Sequence, residues 1–222
     1  AGVSTENGGG IYVTAGIIDM SDSTLSGNVA EYGGNMFVDE GSEVTLDNVT
    51  VESGYTVYSG AGIYVETGAT LYTSNSTFSS NDASYGYGSG IFSYGTYEST
   101  DDTFTDNYST NYWTYSGGAI FSSSSDLLVS GGYFSGNYGY YGGAIYITES
   151  TAAIEDSTFE SNWAPEGGAI AIYYADDVTI DGSEFLTNSA YYYAGAIWSY
   201  ASENVAITDS TFTENEATFY YG

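Results

Sequence analysis

Gly117-Gly118-Ala119-Ile120, Gly142-Gly143-Ala144-Ile145 and Gly167-Gly168-Ala169-Ile170 repeat one tetrapeptide, and Phe134-x-x-Asn137 and Phe159-x-x-Asn162 repeat a second between them. Looser copies of the first end at Ile11, Met36, Ile63, Ile91 and Ile197. The second recurs as Phe78-x-x-Asn81, Phe104-x-x-Asn107, Phe185-x-x-Asn188 and Phe212-x-x-Asn215, with Leu25-x-x-Asn28 and a degenerate Val51-x-x-Gly54. Each motif thus occurs eight times, at steps of 25 to 30 residues. A period of that size marks a solenoid, in which each turn contacts only its neighbours.

Aligned on these motifs, every turn holds three short segments with period-two alternation. The first is read from Gly143 to Ile147, the second from Ala153-Ile154 or Val178-Thr179-Ile180, and the third from Ser157-Thr158-Phe159. All are too short for helices, and Gly, Asp, Asn and Ser fill the corners between them, with Pro165 placed in one of these. Parallel strands returning at each turn predict an all-β, three-strand solenoid. The handedness of parallel crossovers makes it a right-handed parallel β-helix. Residues 1–222 form one such domain of about eight rungs, a rod of about 38 Å at the spacing of adjacent strands.

Alternation also assigns the faces. The eight motif-ending residues from Ile11 to Ile197 point inward, as do Leu25, Val51, Phe78, Phe104, Phe134, Phe159, Phe185 and Phe212. The Asn three positions later belongs at a corner, where stacked amides donate and accept along the axis.

Composition narrows the function. There is no Lys, Arg or His against 29 Asp plus Glu, a formal charge of −29. Phosphate binding rests on cationic side chains, so nucleic acid is excluded, as is charge-driven adhesion to an anionic membrane. No run is long enough for membrane insertion, and no Cys is present for disulfides. Acid pairs at Asp101-Asp102 and Asp176-Asp177, and the corner acids Asp22, Asp156 and Asp209, offer hard oxygen ligands. No EF-hand or β-roll calcium motif accompanies them, so the reading is diffuse Ca²⁺ condensation with no defined metal site and no cofactor. No catalytic residues stand out: nucleophile systems built on Cys or His are absent, and the carboxylates recur on many rungs as ordinary turns.

The residue after each inward Ile reads Tyr12, Phe37, Tyr64, Phe92, Phe121, Tyr146, Ala171 and Trp198. More aromatics crowd the preceding corner, among them Tyr112, Trp113, Tyr115, Tyr140, Tyr141, Tyr191 and Tyr192. Together they predict an outward aromatic strip along the rod. It serves either as a satellite core under folded corners or as a contact surface for proteins or glycans. Thr24, Thr50, Thr77, Thr103, Thr158 and Thr211 form an outward Thr ladder like that of ice-binding proteins, on a face interrupted by Glu52, Glu160, Tyr133 and Glu184. Asn48 and Asn75 head N-glycosylation sequons at one corner register, whereas the sequon at Asn107 uses a ladder Asn.

The paired motifs resemble the repeats of the chlamydial polymorphic outer-membrane proteins, which are surface-exposed autotransporter adhesins, and of other extracellular right-handed β-helix proteins. That resemblance implies a passenger-like rod on the cell surface or outside the cell. Neither end carries a polar cap, and the chain starts at Ala1 and stops where another Gly-Gly-Ala-Ile is due, which reads as a segment of a longer or polymerising protein. The expected function is a non-enzymatic extracellular rod. It self-associates into a fibre, stacks on adjacent β-helix repeats, or adheres through the aromatic strip. The alternatives are a carbohydrate-active β-helix enzyme and an ice-binding protein.

Overall fold

The computed structural model describes residues 6–109 and 116–219. Among these, three eight-stranded sheets run the length of the molecule, and every strand pairs in parallel with its counterpart one turn later. No helix interrupts them. This is the parallel β-helix that the motif spacing predicts, with the first sheet running from Ile11–Val13 to Ile197–Tyr200.

Register follows the motifs residue by residue. Ile91, Ile120, Ile145, Ile170 and Ile197 pair in sequence down the first sheet. In the third sheet Phe78, Phe104, Phe134, Phe159, Phe185 and Phe212 do the same. Their rings stack at centroid separations of 4.7–4.8 Å and within 8° of parallel. That separation equals the spacing of hydrogen-bonded strands, so backbone pairing and ring stacking satisfy one another. Apart from Phe212, both columns lie in or pack against a single continuous core.

The Asn column converts the corner after the third sheet into a polar spine. Asn107 Nδ2 donates to Asn137 Oδ1 at 3.0 Å and to the Phe78 carbonyl at 2.9 Å, and its backbone N–H also donates to Asn137 Oδ1. The same set recurs at Asn137, Asn162 and Asn188, all essentially without solvent exposure. A buried amide without such partners destabilises a fold, which explains why these positions keep Asn.

The degenerate Val51-x-x-Gly54 does not break this spine. Asn35, from a first-motif copy that reads Gly-Gly-Asn-Met, enters the slot that Gly54 leaves. Its Nδ2 donates to Asn81 Oδ1 and to the Glu52 carbonyl, and its Oδ1 accepts from Asn28. A Cβ on Gly54 would sit 2.6 Å from the Asn35 amide and 2.0 Å from the Ala61 carbonyl. The two departures from the consensus are one exchange.

The tight corner between the second and third sheets has its own rule. Asp22, Asn48, Asn75, Asp101, Gly131, Asp156, Gly182 and Asp209 all take φ between 46° and 66°. This left-handed region favours Gly, Asn and Asp, and those are the three residue types found. No two acids are neighbours in this column. The same avoidance holds in the sheets: Thr70 faces Glu43, Ser74 faces Asp47 and Glu184 faces Thr211. Among the described residues only Glu155 against Asp181 sets acid on acid in a registered strand pair. With no cation to intervene, opposed like charges destabilise each pairing, and alternation dilutes the repulsion.

Two expectations are corrected here. The corner after the Asn is itself partly stranded: a four-stranded and a three-stranded ladder occupy it, and Tyr138 bridges Tyr108 and Trp163 between them. Small inward residues such as Ala164, Ala190 and Ala217 make that close approach feasible. Pro165 lies within the strand Trp163–Glu166 at a register shift, where its missing N–H interrupts no regular ladder.

If Asn35 completes the spine, Asn35→Ala should cost as much as Asn107→Ala, about 2–4 kcal/mol each from stranded buried partners. Urea unfolding midpoints check this. A neutral Asn35→Ala beside a damaging Asn107→Ala would contradict it.

Candidate functional site

The outer face of the first sheet carries the predicted aromatic column in register, from Tyr12 on Phe37 to Ala171 on Trp198. Phe37, Tyr64 and Phe92 stack at 4.7–4.8 Å, and Phe121 continues at 5.0 Å. Alternation places these rings correctly, but they do not face solvent. Phe37, Tyr64, Phe92, Phe121 and Tyr146 are between 2% and 7% exposed and form a second apolar core outside the helix. Corner residues close over them: Tyr32 meets Tyr64 edge-on at 5.6 Å, Tyr87 lies 5.3 Å from Phe121 and Tyr141 lies 5.6 Å from Tyr146. A contact strip made of these five rings is therefore corrected to a satellite core. Burial accordingly pushes the Tyr64 hydroxyl well above the ordinary phenol range.

The remaining strip residues divide. Tyr12 is exposed at one end of the column, its hydroxyl donating to Asp39 at 2.6 Å, and Trp198 is half-buried at the other. Tyr191 and Tyr192 are exposed, Tyr140 and Tyr141 are half-buried, and Tyr112, Trp113 and Tyr115 lie outside the described residues. A further stack was not read from the sequence. Tyr108, Tyr138 and Trp163 follow three successive ladder Asn residues and stack at 4.8 Å. Its signal was an aromatic directly after Asn107, Asn137 and Asn162.

Where Ala171 interrupts the column, Tyr173 leans in to replace the missing ring. It lies 5.7 Å from Tyr146, donates from its hydroxyl to Glu166 at 2.5 Å and accepts from Trp198 Nε1 at 2.8 Å. Partial burial raises the Glu166 carboxyl, and the Tyr173 hydrogen bond opposes the shift.

Among the described residues, a recess lies open on this face. Three positions after the inward Ile, the chain reads Tyr94, Ser123, Thr148 and Tyr173, so two small hydroxyl residues separate larger ones. Tyr94 stands edge-on to Phe92 at one end, and exposed Tyr174 stands at the other. Between them a cavity of about 310 Å³ is bounded by Tyr87, Phe121, Ser123, Tyr146, Thr148 and Glu149. A second depression, of about 350 Å³, lies on the second sheet among Glu98, Asp126, Asp177 and Thr151. Its acids belong to three different turns of the solenoid. On the third sheet, Thr24, Thr50, Thr77 and Thr103 are in register before Tyr133 interrupts them.

The sequon residues Asn48 and Asn75 are both exposed in the left-handed corner, and their amides donate to Asp22 and Asp47. Asn107 is buried in the spine. Among the described residues, no three Asp, Glu, His or Cys side chains converge as metal ligands.

The Asp101-Asp102 pair does not act as a unit. Asp101 is exposed in the corner, whereas Asp102 is buried among Thr73, Ser76, Ser99 and Tyr97. In five of the other seven turns its column holds Ser, whose hydroxyl accepts the preceding turn's N–H, as the Ser183 hydroxyl does from Ser157. Asp102 accepts instead from the Ser76 N–H at 2.7 Å, the Ser99 hydroxyl at 2.7 Å and the Thr73 hydroxyl. Burial pushes its carboxyl up, the three hydrogen bonds oppose the shift, and the Asp101 charge adds to it.

Comparison with known proteins finds the model of the right-handed β-helix region matching residues 3–134 and 110–222. No curated protein and no solved structure matches the chain.

Because the fold raises the Asp102 pKa, it favours the protonated acid. Stability from this group is full below the ordinary carboxylate range near pH 4 and falls as pH rises through the folded value. Asp102→Asn should therefore match the parent in acid and exceed it in stability increasingly toward pH 7. Thermal melts across pH check this, and a pH-independent difference would contradict it.

Proposed function

The chain belongs to the right-handed β-helix family, and from that premise we propose that it is a structural rod. In this reading it works outside the cell or on its surface, associates end to end through its open turns and makes lateral contacts through surface aromatics. The observation that carries it is the unbroken parallel register of three eight-stranded sheets, which presents its core columns at the first and last described turns. Phe212 stacks on Phe185 at 4.7 Å yet is 49% exposed, and Ile207 is 43% exposed, whereas Phe185 and Ile180 within the rod are fully covered. At the opposite end Ile17 is 72% exposed. A further turn of the same geometry, from a second copy or from adjacent β-helix repeats, would cover these side chains and extend every ladder in register.

The motif pair supports an extracellular setting through its resemblance to the chlamydial surface repeats. A net charge of −29 suits a rod that must not associate side by side indiscriminately, with cations condensed diffusely along it. Catalysis forms no part of this proposal. An outward Thr face for ice is disfavoured by Tyr133, whose hydroxyl donates to Glu160 across that face.

Sedimentation and negative-stain imaging test the rod. The chain should form linear species whose size rises with concentration, and Phe212→Asp should weaken the association at least about tenfold, since one buried Phe face contributes over 1 kcal/mol. A single 23.5 kDa species at every concentration would overturn the reading.

A further inference from the structure

We propose that the recess between Tyr94 and Tyr174 binds a neutral oligosaccharide. This names the ligand class for the lateral contact proposed above and rests on that reading for its setting, but not on end-to-end association.

The walls and floor differ in kind. Tyr94 and Tyr174 are 37% and 55% exposed, so ring surface is presented to the solvent. Phe121 and Tyr146 form a floor locked by the buried column, which gives the site a preorganised base. Ser123, Thr148 and Glu149 supply hydroxyls and a carboxylate along one side. Such a lining has apolar faces for the C–H surface of a sugar ring and polar groups for its hydroxyls.

Other occupants fit less well. An anionic sugar or phosphate would meet a chain of charge −29 without one Lys, Arg or His. An acyl chain would desolvate Ser123, Thr148 and Glu149 without returning a hydrogen bond. An extended peptide would need an open strand edge, yet the strands beneath the recess, Ile120–Ser123 and Ile145–Thr148, are paired on both sides. Tyr94 and Tyr174 lie three turns apart, about 14 Å at the strand spacing, so the site suits a chain of sugars lying along the rod.

Isothermal titration calorimetry with cellohexaose, xylohexaose and mannohexaose tests this, with oligogalacturonate as the acidic comparison. At least one neutral hexasaccharide should bind and the acidic one should not. Tyr94→Ala and Tyr174→Ala should each weaken binding roughly two- to tenfold, the range for loss of one aromatic contact. Tyr12→Ala, at the far end of the same face, should leave it unchanged, and circular dichroism confirms that each variant is folded. Absence of binding by all three neutral sugars, or unchanged binding by the Tyr94→Ala/Tyr174→Ala double variant, would overturn the proposal. Titrating the parent chain alongside its sedimentation separates the two readings: binding without linear association defeats only the rod, and linear association without binding defeats only the recess, while Phe212→Asp should keep the binding as it loses association.

Discussion

Identical residues placed one above another at the spacing of a hydrogen-bonded strand are the constraint from which the rest of this structure follows. The Asn spine shows it most fully. Each buried amide donates to the next amide and to the Phe carbonyl of the preceding motif copy, while its own oxygen takes two donors from the turn before. A parallel solenoid sets each residue against its own equivalent, so a side chain is acceptable only if it is complementary to itself. Phe rings, Ile side chains, Asn amides and Ser hydroxyls meet that condition. Carboxylates do not, and the alternation of acids with Thr, Ser, Asn and Gly along the columns is the same constraint acting on charge.

Self-complementarity also explains how the chain tolerates departures from its own pattern. Gly54 lacks the amide and Asn35 supplies it from the bend before Met36–Val38. Ala171 lacks the ring and Tyr173 supplies it from two residues on. Asp102 replaces a ladder Ser and is matched by three donors, Thr73 and Ser76 from the preceding turn and Ser99 from its own. In each case the column remains filled although the residue that fills it has changed, which ties stability to the slot more than to the motif.

The sequence made the columns legible because periodicity reports which residues stand in register. Ile145, Phe159 and Asn162 could be placed inward or at a corner from spacing alone. Coverage was not legible in the same way. Phe92 and Phe121 point away from the main core, as alternation says, but whether they meet water depends on how Tyr87 and Tyr94 return from irregular corners. No periodicity records that return. Likewise Asn35 and Gly54 are 19 positions apart in different motifs, and their exchange was visible only as two irregularities in one turn. Among the described residues the aromatic strip stays open as a recess where Ser123 and Thr148 leave the cover incomplete. The rod therefore owes its regularity to the inside and its candidate contacts to the irregularities outside.

The spine can be examined directly by hydrogen exchange of Asn side-chain amides, followed by NMR. If it holds the turns together, the Nδ2 protons of Asn107, Asn137 and Asn162 should exchange as slowly as core backbone amides, while those of exposed Asn48 and Asn75 exchange fast. Equal, rapid exchange at all five would contradict the account.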